Sequence, residues 1–371
     1  MPINITKYLW KIYTEFTTRI YDIPPRMLAF LSFIILAAIP LMLDPIKLAF
    51  LIIANIYAIL AASWDLLVGR TGQISLGHAI FYAIGAYSTA LLYMYFKWPL
   101  WLTMPLSLLV GAISALVIGF PCLRVKGPYL ALLTFALPFS VKGFLYYYSD
   151  IFGGDAGIPP IPKKLYEFFP MLSGDQKVIA NYYLSLGLMA ISAIILYKIA
   201  TSKTGLTFVS ILDDELASKA CGINVTKYKL MSFTISGIFG SFAGMIYAHM
   251  VSRRVDPLFL DVSYSIIPII ATIIGGIGTI YGPIVGAYIY CFLDRYLFQY
   301  IIPYVCIPLG NYTVRIPLKD AEWRMLLFSA IVVLLIIKWP RGIARAIVEK
   351  LEDLEEPREI EEIEKEKKLQ V

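Results

Sequence analysis

The stretch TSKTGLTFVSILDDELASKACGINVTKYK, Thr201–Lys229, decides how the rest of the chain is read. It is polar and charged, and it lies between two long apolar runs, Val178–Ile199 before it and Leu230–Val251 after it. Each run approaches or exceeds the roughly 20 apolar residues a helix needs to cross a hydrocarbon core. The stretch therefore reads as a compact element outside the bilayer, carried by two spans. It has helix signals of its own. Asp213 is placed as an N-cap, and Asp214 and Glu215 put acidic groups at the positive end of the helix dipole. Leu216 follows inside the helix, Lys219 falls in its last turn, and Gly222 falls at C′, where helices end in left-handed geometry. A short capped helix held between two spans is a mechanical device: a soluble partner that grips it pushes on both. The plain alternative is a solvated loop with one turn of helix.

Composition supports the membrane setting. The chain has 371 residues, 59% of them hydrophobic and 16% charged, with a mean hydropathy of +0.72. Soluble domains carry about 25% charged residues. The fold class is thus an all-α polytopic membrane protein whose first partner is the lipid bilayer. The formal net charge of +6 is no nucleic-acid footprint, because the basic residues mostly flank apolar runs, where they set orientation. Cys122, Cys221, Cys291 and Cys306 fit no zinc or redox spacing, and there are only two histidines, His78 and His249. No metal, cofactor or catalytic residue is expected. No phosphate-binding Gly-x-x-x-x-Gly-Lys-Ser/Thr run is present, so any ATP that drives this chain is bound by a partner.

Ten apolar segments follow from the length criterion. They are Met27–Leu43, Lys47–Val68, Ala79–Phe96, Leu100–Phe120, Pro128–Tyr148, Val178–Ile199, Leu230–Val251, Ser263–Gly275, Ile280–Leu293 and Ala321–Ile337. The eighth and ninth are short, either broken spans or a re-entrant hairpin with Gly275, Gly276 and Gly278 at the bend. The organisation is then an amphipathic segment 1–26, a transmembrane domain 27–343 and a charged tail 344–371. Basic flanks place both termini and the 201–229 connection inside, and the loop 149–177 outside. No secretory signal peptide is expected, since the run from Met27 lacks a small-residue cleavage site.

Two glycine clusters interrupt this background. The first is Gly69-Arg70-Thr71-Gly72-Gln73-Ile74-Ser75-Leu76-Gly77-His78; the second is Gly275-Gly276-Ile277-Gly278-Thr279-Ile280-Tyr281-Gly282-Pro283. Broken hydrophobic segments point to a transport path, because irregular backbone at membrane depth survives only against protein or a water-filled cavity. Gly72, Gln73, Ser75, Gly77, His78, Gly275, Gly276 and Gly278 are the path candidates. Read plainly, the first cluster is a tight turn and His78 a helix-start residue. Asp65 reads as the partner of Arg70 in an interfacial ion pair. Each cluster is followed by a Gly-Ala-Tyr, at Gly85 and at Gly286, which suggests either a duplication or close helix packing.

These motifs carry a resemblance. Ser63–His78, Lys126–Thr134, Asp213–Ala217 with Cys221–Leu230, Gly275–Pro283 and Lys338–Gly342 occur in the order seen in permease subunits of branched-chain amino-acid ABC transporters. The loop Gly153-Gly154-Asp155-Ala156-Gly157-Ile158-Pro159 resembles the LivM type. The resemblance implies a type II ABC-importer-like permease of a prokaryotic inner membrane. It pairs with a second homologous permease, two ATPase subunits inside and a solute-binding protein outside. Asp213–Gly222 then corresponds to the coupling helix. Relatives often carry arginines where Leu206, Val209 and Leu212 stand. The implied substrates are leucine, isoleucine and valine, with urea, short amides or other amino acids as the alternative. A reading of another class is a stand-alone secondary transporter or channel. It needs titratable groups near mid-membrane, and only Asp65 and Lys142, both near span ends, offer themselves.

Overall fold

The computed structural model describes residues 32–125, 127–159, 174–252, 254–301, 304–309, 312–317 and 321–348. The segment 1–26, the start of Met27–Leu43, Lys126 and the tail beyond residue 348 lie outside these residues. The chain divides into two units, Met1–Leu43 with Ala344–Val371, and Asp44–Ile343. Of the first, residues 32–38 are helical, Ile39–Leu41 add a 3₁₀ turn, and residues 344–348 are helical.

The second unit is built on α1, Pro45–Thr71. Its start is written locally: Asp44 is extended and Pro45 supplies a pre-set φ where no N–H is needed. Its end is Gly72, whose φ of 68° is left-handed and whose N–H donates to the Val68 carbonyl. Between these ends α1 is apolar nearly all round, as a helix buried on every side must be. It packs against α5 (Gly174–Ala200), α8 (Val225–Met250), α9 (Ser263–Gly275) and α10 (Tyr281–Cys291). Helix α2 (His78–Phe96) packs on α8 and on α3 (Leu100–Cys122), with α4 (Pro128–Tyr147) beside it. Helices α3 and α4 leave Leu109, Val117, Leu132 and Phe139 exposed, faces suited to lipid or another apolar chain.

One face of α8 organises this packing. Ser232, Ser236, Gly240, Gly244 and Ala248 recur every fourth residue and are all buried. Small residues let backbones approach closely. The two Gly-Ala-Tyr echoes have the same physical cause. A Cβ on Gly85 would collide with the Ser241 carbonyl of α8, and one on Gly286 with the Ala271 carbonyl of α9.

Among the described residues seven helices are long and apolar enough to cross a membrane: Pro45–Thr71, His78–Phe96, Leu102–Cys122, Pro128–Tyr147, Gln176–Ala200, Val225–Met250 and Leu326–Val348; the first of the ten expected segments lies partly outside those residues. The eighth and ninth segments are the short helices α9 and α10, of 13 and 11 residues, packed together as a hairpin. At 1.5 Å per residue α9 covers only about 20 Å, short of a hydrocarbon core of about 30 Å. Nor is the unit wholly helical. After a π-helical stretch, Phe292–Ile301, strands β1 (Tyr304–Leu309) and β2 (Tyr312–Pro317) pair antiparallel, with Leu309 opposite Tyr312. Alternating Val, Ile and Thr, as in Tyr312-Thr313-Val314-Arg315-Ile316, is a strand pattern that the search for long apolar runs passes over. The helix α11, Ala321–Lys338, follows.

Candidate functional site

The connection between α5 and α8 is two helices and no free loop. Helix α6, Lys203–Asp213, starts at Ser202, whose hydroxyl accepts from the Gly205 N–H. It is amphipathic, with Gly205, Phe208 and Ile211 buried. Asp213, expected as an N-cap, is instead the last residue of α6. The cap belongs to Asp214: it leaves the helical region at φ −153°, ψ 111°, and its carboxylate accepts from the N–H groups of Leu216 at 2.7 Å and Ala217 at 3.0 Å. A run of two Asp residues gives the cap to whichever one the preceding helix leaves extended.

Helix α7, Glu215–Ala220, is only 6 residues long. Isolated helices that short do not hold, so its stability comes from its ends and its neighbours. Gly222 ends it at φ +82°. The Gly222 N–H donates to the Lys219 carbonyl and the Ile223 N–H to the Ser218 carbonyl, the two bonds of a Schellman motif. The Ser218 hydroxyl reaches back to the Ser210 carbonyl at 2.9 Å and clips α7 to α6. Glu215 does the rest. Its carboxylate accepts from Lys219 at 2.8 Å within α7 and from Lys229 at 2.6 Å on α8. The bonds from Lys219 and Lys229 hold the Glu215 carboxyl down at about 2 against a small opposing cost of burial. Leu206 and Leu216 are 67% and 76% exposed, and Leu212 also faces out, so this element presents apolar side chains to its surroundings.

The first glycine cluster is bonded to the same place. After Gly72 the chain runs extended back alongside α1, so that the Trp64 indole donates to the Ser75 carbonyl at 2.8 Å. The Gln73 amide donates to Thr71 Oγ1, to the Lys229 carbonyl and to Ser232 Oγ on α8. The Leu76 N–H is taken by Thr134 Oγ1, and Gly77 lies against the Thr134 backbone. Helix α2 then starts at His78, level with Ser236. Ser236 donates its hydroxyl proton to the Ser63 carbonyl at 2.6 Å, so its oxygen accepts from His78 Nε2–H at 2.9 Å. The Ala79 N–H is satisfied by Ser265 Oγ of α9. The stretch is therefore no simple turn. It re-enters the helix bundle, and protein groups satisfy its polar backbone. Gln73, Ser75, Gly77 and His78 are buried here, while Gly72 is exposed.

The second cluster forms the turn between α9 and α10, with Gly275 and Gly276 buried and Gly278 half-buried. It is held by Asp65, which corrects the expected pair with Arg70. The Asp65 carboxylate is fully buried and accepts from the Gly278 N–H at 2.6 Å and the Ile280 N–H at 3.0 Å. The Arg70 Nε makes no hydrogen bond. Ile280 has φ 62°, ψ −46°, and the Tyr281 N–H donates to the Thr279 carbonyl, a γ-turn of the strained, φ-positive kind. The two glycine clusters thus meet at Gly69 and Gly278, where a Cβ on either would crowd the other's backbone.

Reading the sequence alone leaves out the polar partners supplied by the spans: Thr71, Thr134, Lys229, Ser232, Ser236 and Ser265. The signal for two of them was present, in the four-residue recurrence Ser232, Ser236, Gly240, Gly244 on an otherwise apolar run. Among the described residues no group of His, Cys, Asp and Glu could hold a metal ion.

Residues 46–336 match the family described as branched-chain amino acid transport system / permease component. The chain is 32% identical over 253 residues to the high-affinity branched-chain amino acid transport system permease protein LivM of Salmonella typhimurium, covering 62% of this chain and 59% of that protein. It is 30% identical over 280 residues to the LivM protein of Escherichia coli, covering 70% and 65%. It is 24% identical over 205 residues to the guanosine ABC transporter permease protein NupQ of Bacillus subtilis, covering 52% and 64%. Each of these alignments spans less than two thirds of the relative's length. No solved structure matches the chain. With seven long apolar helices among its described residues, its motifs in this order and the family match running from the start of α1 into α11, the chain belongs to the branched-chain amino acid transport system permease family.

Proposed function

We propose that this chain is the membrane permease subunit of an ATP-driven importer that moves leucine, isoleucine and valine by alternating access. The observation that carries the reading is the double attachment at Lys229. Its ammonium holds Glu215 of α7, and its carbonyl holds Gln73 of the re-entrant stretch. A push on α7 is therefore delivered to α8 and to the 72–78 segment together. In this reading α7 is the coupling helix, and Asp213, Asp214, Glu215, Leu216, Lys219 and Gly222 form the element that two ATPase subunits grip from the cytoplasm. Both termini lie on that side. A second homologous permease completes the path, and an extracytoplasmic binding protein delivers substrate to the opposite face. The path candidates Gly72, Gln73, Ser75, Gly77, His78, Gly275, Gly276 and Gly278 move when α8 tilts.

The test is uptake by the assembled transporter in proteoliposomes supplied with its binding protein. Leucine uptake that depends on ATP, outcompeted by isoleucine and valine and untouched by urea or guanosine, is the expected result. Uptake of urea or guanosine in place of leucine would overturn the substrate. Deleting residues 213–221 should leave insertion intact and separate ATP hydrolysis from uptake; transport that survives the deletion removes α7 from the mechanism.

A further inference from the structure

Tyr57 of α1, Tyr82 of α2, Tyr247 of α8, Phe259 of the 3₁₀ turn Pro257–Leu260 and Tyr264 of α9 pack as one aromatic cluster inside the bundle. The Tyr82 and Tyr264 rings stack with centroids 4.6 Å apart, and the Tyr57 ring lies nearly parallel to that of Tyr247 at 6.5 Å. Arg295, on the π-helical stretch, joins this cluster. Its Nη2 donates to the Tyr57 hydroxyl at 3.3 Å, and its guanidinium carbon lies 6.0 Å from the centre of the Tyr57 ring. Tyr57 is fully buried and so is Arg295 Nε, so the arginine side chain points into the bundle and not at lipid. Tyr57 stands near the middle of α1, a helix of 27 residues, which puts this contact at membrane depth. An arginine at that depth is costly unless it is paired. A guanidinium carries several N–H donors and no acceptor. Among the described residues the Tyr57 hydroxyl is its one hydrogen-bond partner, and no carboxylate forms an ion pair with it.

Arg295, Tyr247 and Tyr264 are each half-buried, so the cluster is open on this side. A cation left without an anion, inside a bundle and beside an opening, marks a substrate path and a partner that comes from outside the chain. The planar fork of a guanidinium matches a carboxylate through two parallel hydrogen bonds. The rings beside it offer flat apolar faces to the rest of such a molecule. A lipid phosphate fits the site less well, because headgroups begin about 15 Å from the bilayer centre. From this we propose that Arg295 receives the carboxylate of the transported solute, with Tyr247 and Tyr264 against its apolar body. That the solute is an α-amino acid rests on the importer reading above; the arginine itself requires only a carboxylate. Arg295 is then the residue that selects an acid over its alcohol or amide, a choice the shape of an apolar path cannot make alone.

The experiment compares ligands that differ in one group. Leucine, 4-methylvalerate and leucinol are titrated calorimetrically into the complete transporter without its binding protein. The transporter is held in phosphatidylcholine nanodiscs, with and without phosphatidylglycerol. Leucine and 4-methylvalerate, which lacks only the ammonium, are expected to bind saturably. Leucinol, which lacks the carboxylate, should bind about tenfold more weakly than leucine, the usual size of a lost hydrogen bond to a charged group. Arg295→Gln should erase the preference for leucine over leucinol while leucinol binds as before. Arg295→Lys keeps the charge without the fork and should retain part of the preference. Absence of saturable binding by either carboxylate overturns the proposal, as does leucinol binding as tightly as leucine, or a preference that survives Arg295→Gln. Loss of all three ligands together in an assembled Arg295→Gln transporter would make the arginine structural and overturn it too. Leucine binding blocked by phosphatidylglycerol would give the guanidinium to a lipid phosphate, with the same consequence. The comparison of ligands needs no variant, so it decides even if Arg295→Gln fails to assemble. If external leucine uptake fails while 4-methylvalerate still binds through Arg295, the substrate reading falls and the carboxylate site stands.

Discussion

Asp65 concentrates the chemistry of the fold in one side chain. A carboxylate inside a span is expensive unless it is fully satisfied, and here two backbone N–H groups, of Gly278 and Ile280, satisfy it. Asp65→Asn presents one oxygen and an amide donor to two donors, and leaves a buried N–H unpaired. It should destabilise the purified protein by about 1–3 kcal/mol, read as a lowered midpoint of thermal unfolding; an unchanged midpoint would mean that the turn finds other acceptors. Ile280 poses a contest of magnitudes. Glycine would relieve a positive φ worth about 1–3 kcal/mol. The buried Ile280 side chain, packed with Ala62, Leu66 and Leu196, is worth about 2–5 kcal/mol when truncated. Ile280→Gly should therefore lose stability on balance. Glu215 sets a pH window. Its carboxyl sits at about 2 when folded, against about 4.3 for a free glutamate. The stabilisation is fully present above the unfolded value and is lost only as pH falls through about 2. The ratio of ATP hydrolysed to leucine taken up should show no step from this residue between pH 5 and 8. Glu215→Gln should raise that ratio equally across the range.

At the level of elements, α7 is held by its caps. Asp214→Ala removes two hydrogen bonds at a cost of about 1 kcal/mol. In a helix of 6 residues that is enough to fray it. The expected outcome is more ATP hydrolysed per leucine moved, with the protein still inserted; unchanged coupling would assign the push to α6 alone. The exposed Leu206 and Leu216 stand on the α6–α7 element. Contact with an ATPase there is apolar in the proposed reading, so Leu216→Glu should weaken copurification of the ATPases. The re-entrant stretch offers a different measurement. Cysteines at Gly72 and Ile74, both exposed, should react with a thiol reagent in the state described here, and cysteines at Ser75 and His78 should not. Reactivity at 75 and 78 that appears only with nucleotide would place them in the moving path. Equal labelling in every state would reduce the stretch to a fixed support.

Over the whole molecule, the proposed importer reading has force arriving on this chain from ATPase partners. Purified alone in liposomes it should move no leucine, and solute flux without ATP and without companion chains would end the importer reading. Much of this scale was legible from residue order. Membrane character followed from hydropathy, and the six spans from Lys47 to Val251 each correspond to a long helix. The polar element at 201–229, with Lys219 in the last turn of α7 and Gly222 at C′, also followed, because caps are local and depend on residues a few positions apart. Segments eight and nine form the hairpin that was one of the two alternatives, because helices of 13 and 11 residues are too short for full crossings. What tertiary structure alone decided was pairing across distance. It gave the hydrogen bonds of Asp65 to the α9–α10 turn 213 residues away, and it joined Gln73 to Lys229. It also made the α8 stripe a seat for the re-entrant chain. Helix and cap are specified by neighbours in sequence. A buried carboxylate or an unpaired backbone amide takes whichever partner the packing of distant helices brings within hydrogen-bonding reach, and no local pattern of residues encodes that choice.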